Sequence, residues 1–130
     1  MGDMELLIYS SKNDGAGERL LNVMRLLLPE KKYELCRSIE ELSQRMRQPI
    51  FNPTIAILLA LSRKELQGIL SIRHLLEDTK IILIVPDTNP DTVAKGHTLR
   101  PRYLTNCESD FVDVAAVLKR MFSYYGAEKI

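Results

Sequence analysis

Ile55-Ala56-Ile57-Leu58-Leu59, running on into Ala60-Leu61-Ser62, is the stretch on which the fold turns. From Ile55 through Leu61 it is apolar throughout, with no polar residue to mark an outer face, and so predicts a strand covered on both sides. Leu6–Tyr9 and Ile81–Val85 are two further runs of the same kind. Strands buried on both faces belong to parallel sheets, because the crossover helices lie over each face. In open sheets of this type, ligands and chemistry gather at the carboxyl ends of the strands. Those ends read Ser10-Ser11, Leu59-Ala60-Leu61 and Val85-Pro86, and the nearest acid is Asp87, beyond a proline. The expectation is an uncharged crevice where such a sheet usually carries charged groups.

Between the strands the hydrophobic period becomes helical. Asn13-Asp14-Gly15 is a turn, after which Leu20, Leu21, Met24, Leu27 and Leu28 recur at helical spacing up to Pro29. Asp14 is expected to cap that helix. Tyr33–Cys36 reads as a strand nearer an edge. Ser38 and Glu41 have capping-box spacing ahead of Ile39, Leu42 and Met46, and Pro49 stops the helix. Ile50–Pro53 reads as a linker.

Ser62 and Glu65 repeat the capping-box spacing. Leu66, Ile69, Leu70, Arg73 and Leu76 then support a helix to about Glu77. Gly68, at a cost of about 1 kcal/mol, favours a start later than the cap. Pro86–Pro90 is a loop, Asp91–Leu99 a short helix weakened by Gly96, and Arg102–Thr105 a fifth strand. Phe111, Val114, Val117, Leu118, Met121 and Phe122 form the inner face of a last helix. Asp110 and Asp113 suit its positive end, Lys119 and Arg120 its later turns. Residues after Tyr125 are expected to fray. Five strands alternating with five helices predict a three-layer α/β sandwich around a parallel sheet with right-handed crossovers.

Composition narrows the function classes. The 130 residues suit one domain, 1–130 with a core of about 4–125. The formal net charge is +1, too small to draw nucleic acid or an anionic membrane. No apolar run is long enough for a membrane span. Asp3 and Glu5 stand where a signal peptide would be basic, and Leu6 stands where a myristoylation signal wants Ser or Thr. Cys36 and Cys107 show no metal or redox spacing and read as reduced thiols. The chain is thus expected to be cytoplasmic, without metal or cofactor, and without nucleic-acid or membrane partners.

Three segments carry a family resemblance. They are Pro53-Thr54-Ile55-Ala56-Ile57-Leu58-Leu59, Lys80-Ile81-Ile82-Leu83-Ile84-Val85-Pro86 and Tyr103-Leu104-Thr105-Asn106-Cys107. In order and spacing they resemble the third, fourth and fifth strands of the response-regulator receiver family, and the resemblance covers nearly the whole chain. It implies a flavodoxin-like fold with strand order 2-1-3-4-5. Active receivers carry an acidic pair after strand one and a phosphoacceptor Asp ending strand three. A Thr or Ser ends strand four, and a Lys follows strand five. Here those positions hold Ser10 and Ser11, Leu59, Val85 and Asn106.

The departures are chemically consistent with one another. Leucine offers no nucleophile for phosphoryl transfer. Mg²⁺ is bound by hard oxygen ligands, usually including carboxylates. A lysine left in such a pocket would be a poorly paired buried cation, costing about 3–5 kcal/mol, which Asn106 avoids. Burying Leu59 contributes about 1.5–3 kcal/mol instead. The resemblance therefore implies a degenerate pseudo-receiver, not an enzyme. It implies a stand-alone module of bacterial two-component signal transduction or regulation that acts through a protein partner or a homodimer. The family's usual partner face comprises the fourth helix, fifth strand and fifth helix. That places Lys95, Arg102 and Tyr103, with Arg100 close in sequence, on the candidate interaction face. Tyr103 stands at the family's switch aromatic and is expected to be a fixed anchor.

Other signals point elsewhere. Gly15-Ala16-Gly17, between a strand and a helix, suggests a small-ligand or nucleotide site in the strand-end crevice. Leu20 replaces the third glycine of a dinucleotide loop, and no acidic ribose partner is evident. A phosphate there would meet Ser10, Ser11 and the helix N–H groups. Ser10 or Ser11 as nucleophile would need a base, but His74 and His97 lie on other segments and read as surface residues. Tyr124 and Tyr125 either pack back on the last helix or meet another subunit.

Overall fold

Five segments form a single parallel sheet in the computed structural model: β1 (Glu5–Ser10), β2 (Glu34–Cys36), β3 (Thr54–Leu59), β4 (Lys80–Val85) and β5 (Tyr103–Asn106). Their order is β2-β1-β3-β4-β5. The helices are α1 (Gly15–Leu27), α2 (Ile39–Arg47), α3 (Arg63–Ser71), α4 (Pro90–His97) and α5 (Val112–Ala127), with a 3-10 turn at Arg73–Leu75. The structure describes residues 4–49 and 53–127, so most of the expected linker at Ile50–Pro53 lies outside the described residues. The architecture is the expected three-layer α/β sandwich.

Side-chain alternation splits the core in two. Leu6, Ile8, Ile55, Ile57, Leu59, Ile82 and Ile84 pack under α1 and α5 with Leu20, Met24, Phe111 and Leu118. Leu7, Tyr9, Ala56, Leu58, Leu83 and Val85 pack on the opposite face, with Leu42 and Met46 of α2 and Leu66 and Ile69 of α3. This double cover is why β3 reads as an unbroken apolar run. Each large apolar side chain removed from water there contributes about 1.5–3 kcal/mol. Gly96 lets α4 approach this face, since a Cβ there would stand 3.0 Å from side-chain atoms of Leu83 and Val85.

Several boundaries differ from expectation, each for a local reason. Asp14 has the extended backbone of an N-cap, but its side chain makes no capping bond. The first turn of α1 is tied by backbone instead, the Gly17 N–H donating to the Asp14 carbonyl at 3.0 Å. Ser38 and Ser62 do cap, accepting from the Glu41 and Glu65 N–H groups at 3.0 and 3.1 Å. α3 therefore starts immediately after Ser62 and is not delayed by Gly68. That glycine sits where α2 approaches, 3.1 Å from Ile39 Cγ1 to the place a Cβ would take. α3 ends at Ser71 rather than near Glu77, and the 3-10 turn carries Leu76 into the core. α5 runs through Ala127, and the rest of the expected tail lies outside the described residues.

Candidate functional site

The carboxyl ends of the strands form the site to which the sequence points. Backbone register sets Ser10 beside Leu59, Leu59 beside Ile84, and Val85 beside Asn106. The side chains do not converge. Leu59 is fully buried under α1 and α5, whereas Val85 is buried on the opposite face. Ser10 is buried, and its hydroxyl donates to the Lys12 carbonyl at 2.6 Å. Asn106 is half-buried, and its Oδ1 accepts from the Glu108 N–H at 2.9 Å, bracing the turn that follows β5.

The expectation of an uncharged crevice is corrected by Glu65. Its N–H completes the cap with Ser62, but its carboxylate does not turn back to the Ser62 N–H. Instead, Oε2 accepts from the Ser11 hydroxyl at 2.8 Å, and Oε1 from the Leu61 N–H at 3.3 Å and the Tyr9 hydroxyl at 3.4 Å. Tyr9 is only 2% exposed. Burial, and then the charge of Glu65, push its phenol up to about 12, so it stays a neutral donor. The carboxylate is thus held by three donors, from β1, from the residue after it and from the β3–α3 turn.

A second charge enters from α1. Arg19 donates through Nε to the Ser109 carbonyl at 3.0 Å and through Nη2 to the Cys107 carbonyl. Its guanidinium carbon lies 4.8 Å from the centroid of the Phe111 ring. The segment between β5 and α5 is thereby fastened to α1. Cys107 is half-buried, with its thiol 3.5 Å from the Ala60 carbonyl. Burial raises that thiol's pKa against the opposing pull of Arg19, so it remains protonated at neutral pH.

Neither Glu65 nor Arg19 was singled out from sequence as part of the site. Glu65 has the spacing of a local cap, and Arg19 falls between the apolar positions of its helix. Their partners lie 54 and 88–90 residues away in the chain.

The Gly15-Ala16-Gly17 turn has a structural account. Gly15 has φ +54, a left-handed conformation that glycine adopts without strain. At Gly17 a Cβ would stand 2.0 Å from the Lys12 carbonyl oxygen, so only glycine fits under the turn. The hollow beside it, about 280 Å³, is lined by Ser11, Lys12, Asn13, Asp14 and Arg37. Arg37 is partly committed there, donating to the Ser10 carbonyl at 3.2 Å.

On the candidate interaction face, Lys95 and Arg102 are exposed and Tyr103 is half-buried. The Tyr103 hydroxyl donates to Asp113 Oδ2 at 2.6 Å, and Ser109 Oγ donates to Oδ1 at 2.8 Å. The Tyr103–Asp113 bond is the main cause raising the Tyr103 phenol. Burial works to raise the Asp113 carboxyl, but the hydrogen bonds from Tyr103 and Ser109 outweigh it and hold the group below the usual range. Tyr103 is thus fixed to the first turn of α5. Arg102 and Tyr103 border a hollow of about 270 Å³ shared with Tyr124 and Tyr125, whose rings meet edge to face at 5.0 Å. Tyr124 is exposed.

His74 and His97 are both exposed. His74 lines a cleft with Lys80, the first residue of β4, and His97 ends α4. Both therefore lie at the end of the sheet where strands begin, away from Ser10 and Ser11. Among the described residues no group of three or more His, Cys, Asp or Glu is placed to hold a metal ion, and no helix is long and apolar enough to cross a membrane. Compared with known proteins, the chain matches no protein-family model, no curated protein and no solved structure.

Proposed function

We propose that this chain is a receiver-like interaction module that works by contact with a protein partner or a second copy of itself, independently of aspartyl phosphorylation. Bacterial signal transduction or regulation is the setting implied by the resemblance. The observation that carries the reading is the state of the central strand's end. Leu59 occupies the phosphoacceptor position and is fully buried. The Glu65 carboxylate, at the same end of the sheet, is already held by Ser11, Leu61 and Tyr9. Phosphoryl transfer to this position needs an accessible nucleophile, and a fully buried leucine offers none. Arg19 and Asp113 meanwhile tie down the β5–α5 segment and Tyr103, which suits a surface presented in one constant conformation.

The test combines intact mass with solution assembly. After exposure to Mg²⁺ and a small acyl-phosphate donor, the mass is expected to stay unchanged. Sedimentation is expected to show the same association state with and without the donor. A phosphate adduct on a carboxylate, or association that depends on the donor, would refute the reading.

A further inference from the structure

A cleft of about 1100 Å³ opens at the end of the sheet opposite the strand-end crevice. It is formed by the 3-10 turn, the start of β4 and the turn from α4 into β5. Arg73 reaches it from the first, Lys80 from the second, Arg100 and Arg102 from the third. Glu77 and Asp78 also line it, yet none of the four cations is ion-paired among the described residues, although the Lys80 ammonium lies 5.1 Å from the Tyr125 ring centroid. The pairs that do form lie elsewhere, Arg45 with Glu5 and Glu34, and Arg63 with Asp87. Four cations face two carboxylates here, in a chain whose formal net charge is +1. A cleft lined by one excess sign concentrates its field and its counter-ions.

Arg100 adds a geometric argument. Its φ is +54, a left-handed conformation that a bulky residue adopts only under strain. Pro101 follows, and a residue before proline is pushed towards extended backbone. Glycine would make the same turn without that strain. An arginine at this point projects a guanidinium from a backbone held in place by the Arg100 N–H bond to the His97 carbonyl at 2.9 Å.

We propose that this cleft binds a small polyanion bearing two or more phosphate groups, either an inorganic polyphosphate or the polyphosphate tail of a nucleotide. Guanidinium forks match phosphate oxygens bidentately, and here the cations come from three separate segments, a spread that suits a ligand with more than one phosphate. The volume suits a nucleotide-sized ligand. The proposal does not rest on the interaction-module reading, although the cleft shares Arg102 with the candidate interaction face.

Calorimetric titration with tripolyphosphate and with ATP, at near-physiological salt, tests it. Saturable binding is expected, weakened about tenfold or more by Arg73→Gln and by Arg100→Gln, and left nearly unchanged by Arg37→Gln at the strand-end hollow. Arg100→Gly is expected to weaken binding while holding or raising Tm, which separates loss of a ligand contact from loss of fold. Tighter binding of ATP than of tripolyphosphate would support a nucleotide, and equal binding an inorganic chain. Three results would overturn the proposal: no saturable binding, equal saturation by sulfate, or an equal loss in Arg37→Gln.

Discussion

Replacing Tyr9 with phenylalanine tests whether the strand-end network is closed and dry. Tyr9 is 2% exposed, and its hydroxyl lies 3.4 Å from Glu65 Oε1. At neutral pH the substitution removes one long hydrogen bond, while Ser11 and the Leu61 N–H still hold Glu65. The cost there is expected to be below about 1 kcal/mol. At high pH the sign reverses. The unfolded phenol ionises near 10, the folded one only near about 12. Between those values the unfolded state binds fewer protons, so stability falls as pH rises. For a shift of this size the loss is about 1.4 kcal/mol at about pH 11 and about 2.7 kcal/mol above both values. Tyr9→Phe is spared that loss. Urea unfolding of both proteins from neutral pH to about pH 11 isolates the effect, because other titrations are common to the pair and cancel in the difference. The variant is expected to be the less stable protein at neutral pH and the more stable one near pH 11. A difference that stays constant across that range would refute a buried phenol held neutral against Glu65.

Gly17→Ala is expected to destabilise by about 1–3 kcal/mol, through the 2.0 Å approach of a Cβ to the Lys12 carbonyl, although alanine is ordinarily the better helix former. Denaturant midpoints measure it, and a gain in stability would show that the turn does not press on α1. Leu59→Asp puts a carboxylate at the end of the central strand but inside the core, where the proposed receiver-like reading sets the phosphoacceptor. A loss of about 3–5 kcal/mol is expected, with no phosphate uptake by intact mass. Ser62→Ala is expected to cost about 1 kcal/mol and to be non-additive with Glu65→Gln, because the cap also aims Glu65 at Ser11. A double-mutant cycle with no coupling would argue against that link.

The strand-end network shows where sequence reasoning reached and where it stopped. The burial of Leu59 followed from an apolar run, because a parallel strand covered on both faces has no use for polar side chains. The caps at Ser38 and Ser62 followed from spacing within one turn of helix. Glu65 did not follow, because the same spacing that marks a capping box also fits a carboxylate aimed across the crevice. The basic residues around β5 were visible in sequence, but their company was not. Arg100 and Arg102 join Arg73 and Lys80 in the large cleft, while Lys95 does not line it.

Period and punctuation along the chain were enough to establish the order of elements, the parallel sheet and the uncharged residues Ser10, Ser11, Leu59, Val85 and Asn106 at the strand ends, since those depend on neighbours a few residues apart. Folding alone determined that Glu65 meets Ser11 and Tyr9, that Arg19 pins the segment before α5, and that cations gather at the far end of the sheet. Those contacts join residues tens of positions apart, and a carboxylate or guanidinium on a long flexible stem has no partner until packing supplies one.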